Sequence, residues 1–443
     1  MALLRPIRWG TLLFLFWPVL VWPQDQLTLD QAVALALQHN RQIKMAELEV
    51  GKAGNAVQVM RKYRLPQFNY YMLEGHLVTP IDFHFPAGLF GVYPQIGPVP
   101  PAPTTLHTPP SFFTLIFGQL NQPISQQYKI GLGIQNEKLK EQIAQEQLSQ
   151  QEQAIVNDVK KTYYNLAQTE SGLRATEETV KLFQELNRVA SNGLAQQVVL
   201  KSDVLDTETG LANVQTQELT LRDTTATLKE KMNTLLGREL TTEFAVGTAP
   251  ENLGAELDLA ALRARALEQR PELREARLKI QQAEVDRRAK KAEYIPDVSV
   301  HFDYLSLFNI QFVPTNIAAI GVEIKYEVFD WGRKKVELEQ KSKTIEQAKT
   351  AVEEGTAQIE VEVGLNFRKL QEARQQLRVA NLALQADQEK VRVAVNKYDQ
   401  NQVLLKDVLQ LRASLAEKTY KYQEALLSFW TARTDLEKAT GER

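Results

Sequence analysis

One feature limits the possible folds more than any other: the chain contains itself twice. Shifted by 230 positions, "ALQHNRQIKMAELEVGKAGNAVQVMRKYRLP", Ala36 to Pro66, lies over "ALEQRPELREARLKIQQAEVDRRAKKAEYIP", Ala266 to Pro296, without a gap. Leu37 meets Leu267, Ile43 meets Leu273, Ala46 meets Ala276, Val50 meets Ile280 and Pro66 meets Pro296. Farther on the offset falls to 204, with Asp203-Val204-Leu205 over Asp407-Val408-Leu409 and Gly237 over Gly441. The first copy therefore carries roughly 25 extra residues in its middle, and the fold has to be one that is built twice from one unit.

Each copy predicts the same order of parts. A helix of about 35 residues ends at Pro66 or Pro296; a strand, a loop and a second strand follow; two long helices joined by a short turn complete the unit. The first repeat occupies 25–236, with strands at 66–78 and 111–124, and the second occupies 257–443, with strands at 296–308 and 316–329. Between them, 237–256 is a linker rich in Gly and Pro. The long helical patterns, from about Ser125 to Ala190 and Leu200 to Leu236, are nearly free of interior Gly and Pro. At ~1.5 Å per residue the longer one reaches on the order of 100 Å, far more than a globular core needs, so helices packed as in coiled coils are expected.

The strands have one greasy and one polar face. Val298, Val300, Phe302 and Tyr304 alternate with Ser299, His301 and Asp303; Ile320, Val322, Ile324, Tyr326 and Val328 alternate with Gly321, Glu323, Lys325 and Glu327. A half-buried sheet of a soluble protein alternates in the same way, and a soluble periplasmic coiled-coil scaffold is the competing architecture. Against it, the two strand regions hold more than half of the chain's aromatic residues, as the aromatic girdles of a membrane barrel require. Four strands cannot close a barrel, and open edges are not tolerated in lipid, so several chains must share one. In "EIKYEVFDWGRKKVELEQ", Glu323 to Gln340, a strand runs almost without a turn into a helix. This suits a wall that changes from strands to helices where the membrane ends, with Trp331 anchored at the headgroup level, although a core Trp at a domain joint fits the sequence equally well.

The first 24 residues place Arg5 and Arg8 before the apolar run Thr11 to Trp22, the layout of a secretory leader. There is no cysteine, which excludes thiol catalysis, disulfides and thiolate metal sites. The net charge of −2 gives no basis for a nucleic-acid partner. The five histidines are scattered without an H-x-x-x-H pair, and no Gly-rich phosphate loop is present, so neither an enzyme nor a cofactor is indicated. His84 and His107 lie in the proline- and aromatic-rich segment 79–110, expected to be an external loop.

Taken together, the duplicated helix-strand-strand-helix-helix unit, the "ALALQHN" opening, the "YRLP" and "YIP" helix ends, the "VFDWGRKK" return to helix and the paired "DVL" resemble the TolC-like outer-membrane efflux proteins. The resemblance implies an α+β membrane fold: a homotrimer whose chains each lend four strands to a twelve-stranded barrel in outer-membrane lipid and whose helices form a periplasmic tunnel. It implies a passive exit duct joined by a periplasmic adaptor to an inner-membrane pump; dedicated protein secretion or metal efflux are variants of that role. It also implies a constriction just after the helix turns, at Asp407, with Gln410 where relatives often have a second acid. Asp203 and Asp206 of the first repeat are candidates to supply the missing charge. The three aspartates are also readable as solvated carboxylates on helix faces, Asp203 and Asp206 more readily than Asp407. The turns, roughly Asn192 to Lys201 and Tyr398 to Lys406 and including Val403, would be the adaptor surface. Relatives often place a glycine where this chain has Gln197 and Asn401; Asn tolerates a left-handed turn and Gln does so less readily, so Gly193 is expected to supply it.

Overall fold

A computed structural model describes residues 26–247, 258–309, 314–400 and 402–442. The leader, the end of the inter-repeat linker and Asn401 lie outside the described residues. In chain order the elements are β1 (Gln26–Leu27), α1 (Leu29–His39), α2 (Arg41–Lys62), β2 (Gln67–His76), β3 (Ile81–Phe85), β4 (Val92–Tyr93), β5 (Gly97–Pro98), β6 (Thr104–Thr108), β7 (Phe112–Pro123), α3 (Gln126–Ala195) and α4 (Lys201–Leu235). Then come β8 (Ala245–Val246), α5 (Leu259–Gln269), α6 (Pro271–Ala292), β9 (Asp297–Phe308), β10 (Asn316–Lys325), α7 (Arg333–Asp399) and α8 (Leu405–Ala439).

Two expectations need correction here. The opening helix of each repeat is two helices, because Asn40 and Arg270 both take extended backbone angles. Before Pro271 this is steric, since the proline ring excludes the helical conformation for the preceding residue. At Asn40 the cause is distant in sequence: its side-chain amide donates to the Leu235 carbonyl at 2.8 Å. Arg270 occupies the equivalent place in the second repeat, and its Nη1 donates to the Ala439 carbonyl at 3.2 Å. Each break therefore satisfies a carbonyl left open at the end of a long helix.

The second correction concerns the strand expected to reach 329. β10 stops at Lys325, and α7 starts at Arg333 after Trp331 and Gly332 take φ of 56° and 80°. Asp330 organises this connector by accepting from Gly332 N at 3.0 Å and Lys334 N at 2.9 Å, and these backbone donors hold its carboxyl below the usual range. "FDWG" is thus a helix cap in sequence, and the cap ends the strand early.

The chain divides into two compact units. One comprises residues 41–154, 258–366 and 437–442 and contains an antiparallel sheet in the order β10-β9-β7-β2. Its helical core packs Leu132 and Leu139 of α3 on Val285 and Ala292 of α6. Segment 79–110 is more ordered than a loop: β3 pairs with β6 and β4 with β5. The other unit comprises 26–40, 155–247 and 367–436. There β1 and β8 pair in parallel, so the expected linker contributes a strand, and Tyr163 OH donates to Leu27 O at 3.0 Å while accepting from Gly247 N at 3.2 Å. Phe429, fully buried, and Trp430, stacked on Tyr164 at 4.8 Å, fill its core.

Candidate functional site

The two helix turns are built from unlike residues on one plan. After α3, Val198 N bonds Gly193 O at 2.9 Å and Gln197 N bonds Leu194 O at 3.0 Å, the paired bonds that close a helix around a left-handed residue. That residue is Gln197, at φ 61°, and the expectation for Gly193 is overturned. Gly193 serves by lacking a side chain, since a Cβ there would lie 2.5 Å from Val199 Cγ2. In the second repeat Gln402 N bonds Lys397 O at 2.9 Å across the same number of residues. Both turns expose apolar side chains, Val198 at 75%, Leu200 at 70% and Leu404 at 72%, while Val403 is partly covered.

The acidic residues just inside these turns do not form one cluster within the chain. Asp203, Asp206 and Gln410 line one cleft with Phe183 and Leu409. Asp407 lies in a separate groove beside Lys390, Lys397 and Val403, and its carboxylate accepts weakly from Leu404 N at 3.3 Å in the first turn of α8.

One to two turns farther along, the hairpins are pinned by pairs that no short motif marks and that only the alignment of the two repeats brings out. In the first, the buried Phe183 ring fills the space over Gly210, where a Cβ would stand 2.5 Å from it. At the offset of 204 the second hairpin has Asp387 and Ser414. Asp387 is buried, accepts from Ser414 Oγ at 2.5 Å and pairs with Lys390 at 2.8 Å. Lys390 above all, then the Ser414 hydroxyl, holds its carboxyl below the usual range. One turn nearer the tip the chemistry is exchanged: Thr207 donates to Asn187 at 3.0 Å in the first hairpin, where the second has Leu411 and Val391.

In the sheet, continuous registers fix the faces. One face carries Phe68, Tyr70 and Met72 of β2, Leu120 of β7, Val300 and Phe302 of β9 and Ile320, Val322 and Ile324 of β10. The other carries His301 opposite Asn121 and Gly321, and Asp303 opposite Gln119, whose amide donates to Asp303 at 2.9 Å. Gly321 is needed there, for a Cβ would stand 2.7 Å from His301 Nε2. Trp331 is 89% exposed beside Phe329, whose ring meets it edge-on at 4.7 Å. In the 79–110 segment His107 pairs with Asp82 at 2.5 Å and His84 with Thr105 at 2.7 Å, and among the described residues no three metal-ligating side chains converge. No described helix is long and apolar enough to cross a membrane.

The model of the outer membrane efflux protein family matches residues 108–238 and 262–442, one segment in each repeat. Among solved structures, the chain is similar to CusC, at TM-score 0.75 and 16% identity over 94% of this chain and 92% of that one. It is similar to the Campylobacter jejuni CmeC outer membrane channel at TM-score 0.73 and 15% identity over 93% and 85%. It is also similar to the Vibrio cholerae outer membrane protein VceC at TM-score 0.71 and 15% identity over 94% and 96%. No curated protein matches the chain by sequence.

Proposed function

The chain belongs to the outer membrane efflux protein family, and from that premise we propose that it is the passive exit channel of a tripartite export system, recruited by a periplasmic adaptor and an inner-membrane pump. It is an outer-membrane channel with a periplasmic helical part, not an enzyme, and its four-stranded sheet is its share of the trimer's twelve-stranded barrel. A closed barrel of this kind solves the edge problem that a lone four-stranded sheet has in lipid.

The observation that carries recruitment is the exposed apolar set Val198, Leu200 and Leu404 on ordered helix turns. Large apolar side chains held out to water at two equivalent places suit a partner that buries them. The adaptor contact is assigned to these turns, from Gly193 and Gln197 in the first to Asn401 and Val403 in the second. The constriction is assigned to Asp407, with Gln410, Asp203 and Asp206 bordering it from their separate cleft; carboxylates of three chains brought together attract cations and repel one another. Trp331 is assigned to the headgroup level. The test is co-purification with the cognate adaptor: a Val198→Glu, Leu404→Glu double variant should lose the adaptor while remaining a trimer. Undiminished capture would remove the turns from the interface.

A further inference from the structure

The two faces of the sheet do not keep their character along its length. At the end near the helices, the face bearing His301 carries polar side chains in every row, with Pro123, Gly321 and Ala319 completing the rows. Ser299 stands beside Glu323, His301 beside Asn121 and Gln67, and Asp303 beside Gln119 and Asn69. The next two rows outward are apolar or aromatic at every paired strand position: Ile317, Leu305, Phe117 and Tyr71, then Leu307, Leu115 and Leu73, with Thr315 just before β10 bonded through its carbonyl to Leu307 N at 2.8 Å. Phe117 and Tyr71 stack at 6.2 Å. The opposite face becomes more polar over the same stretch, where Ser306 and Asn316 share a row with Ile116 and Met72, and Thr114 and Glu74 share the next with Phe308. The hydroxyls of Tyr304 and Ser306 share Asn316 Oδ1 there at 2.9 and 2.8 Å. The registers pass through this point without a slip, so the strands do not turn over and the two faces keep their sides.

A lipid-facing wall is apolar across the hydrocarbon and polar beyond it. The Val300 and Phe302 face follows that order, which makes the His301 face the lumen. We infer that the two apolar rows, repeated around the trimer, form an apolar collar at the outer end of the lumen. It resists hydrated inorganic ions and admits solutes with apolar surface. The inference rests on the channel reading above and deepens it by naming the cargo class. Side chains such as Leu305 and Leu115 offer no group to replace an ion's water shell, whereas they cover an apolar solute at no such cost. The polar rows on the helix side keep the approach hydrated.

The absence of native cysteine permits a direct test on purified trimers in planar bilayers. Leu305→Ser and Leu115→Ser should each raise single-channel potassium conductance by about twofold or more, and weaken block by tetraphenylphosphonium, an apolar cation. A charged, water-soluble thiol reagent should change the conductance of Leu305→Cys and leave Phe302→Cys untouched. The cysteine pair reports the facing directions even where a serine variant assembles poorly. Serine variants with wild-type conductance and block, or a reagent effect confined to Phe302→Cys, would overturn the collar. Wild-type trimers and both serine variants that all carry no current would overturn the channel reading beneath it.

Discussion

The two hairpins share a backbone plan and differ in what pins them. The first is closed by shape, the Phe183 ring in the notch left by Gly210. The second is closed at the same two positions by charge, Asp387 held by Lys390 and Ser414 with Lys418 nearby. Shape-based contacts depend on excluded water and little on pH, whereas a buried carboxylate keeps its partners only while it is ionised. The contact in the second hairpin is therefore the one that acid can weaken, although a single ancestral unit explains both.

The largest effect expected from breaking this comparison is at Phe183. Phe183→Ala removes a buried ring and should cost about 3–5 kcal/mol locally. Hydrogen exchange should speed up in α3 and α4 near the turn while the tips of α7 and α8 are unchanged. Next come the glycines that follow the hairpins' second helices, Gly237 and Gly441, at φ 69° and 84°. Each loses about 1–2 kcal/mol to a left-handed alanine. Gly237→Ala should be the worse, because its Cβ would stand 2.3 Å from the His39 carbonyl oxygen, against 3.0 Å from Gln269 Cβ at Gly441. Thermal dissociation of the trimer ranks the two.

A pH effect should be confined to the second hairpin. The folded pKa of Asp387 is depressed, so its stabilisation is complete above the unfolded carboxyl value, about 3.9, and is lost as pH falls through the lower folded value. Exchange near Ser414 should rise in acid in the wild type, and Asp387→Asn should start weaker at neutral pH and respond less. Exchange around Phe183 should not follow the same titration. The smallest effects belong to the pairs that the repeats share, Glu185 with Arg188 and Glu389 with Arg392. These are exposed, and Glu185→Gln or Glu389→Gln should leave the melting temperature unchanged within error.

Much of this architecture is visible in the sequence because its cause is local or periodic. The offsets of 230 and 204 expose the two repeats, and alternation around Val300 and Val322 places the strands. What is hidden has a cause elsewhere in the chain. Asn40 breaks its helix to reach Leu235, and nothing near Asn40 says so. Pro271 does mark the matching break, yet the gapless alignment of the repeats suggests one helix. Between Tyr304 and Leu305 the alternation changes phase; alone it resembles a strand that has slipped, and only the pairing with β7 places two apolar rows on the face that bears His301. The acidic residues near the turns show the opposite limit. Their types and spacing group Asp203, Asp206 and Asp407, but the hairpins point them into different grooves.

As proposed, this chain is a passive duct through the outer membrane. Purified trimers inserted in a planar bilayer, with no nucleotide and no proton gradient, test this reading most directly. Discrete ohmic current steps are expected, unchanged when ATP or a pH gradient is supplied. Inserted trimers that pass no ions at any voltage, or that do so only when energised, would contradict it.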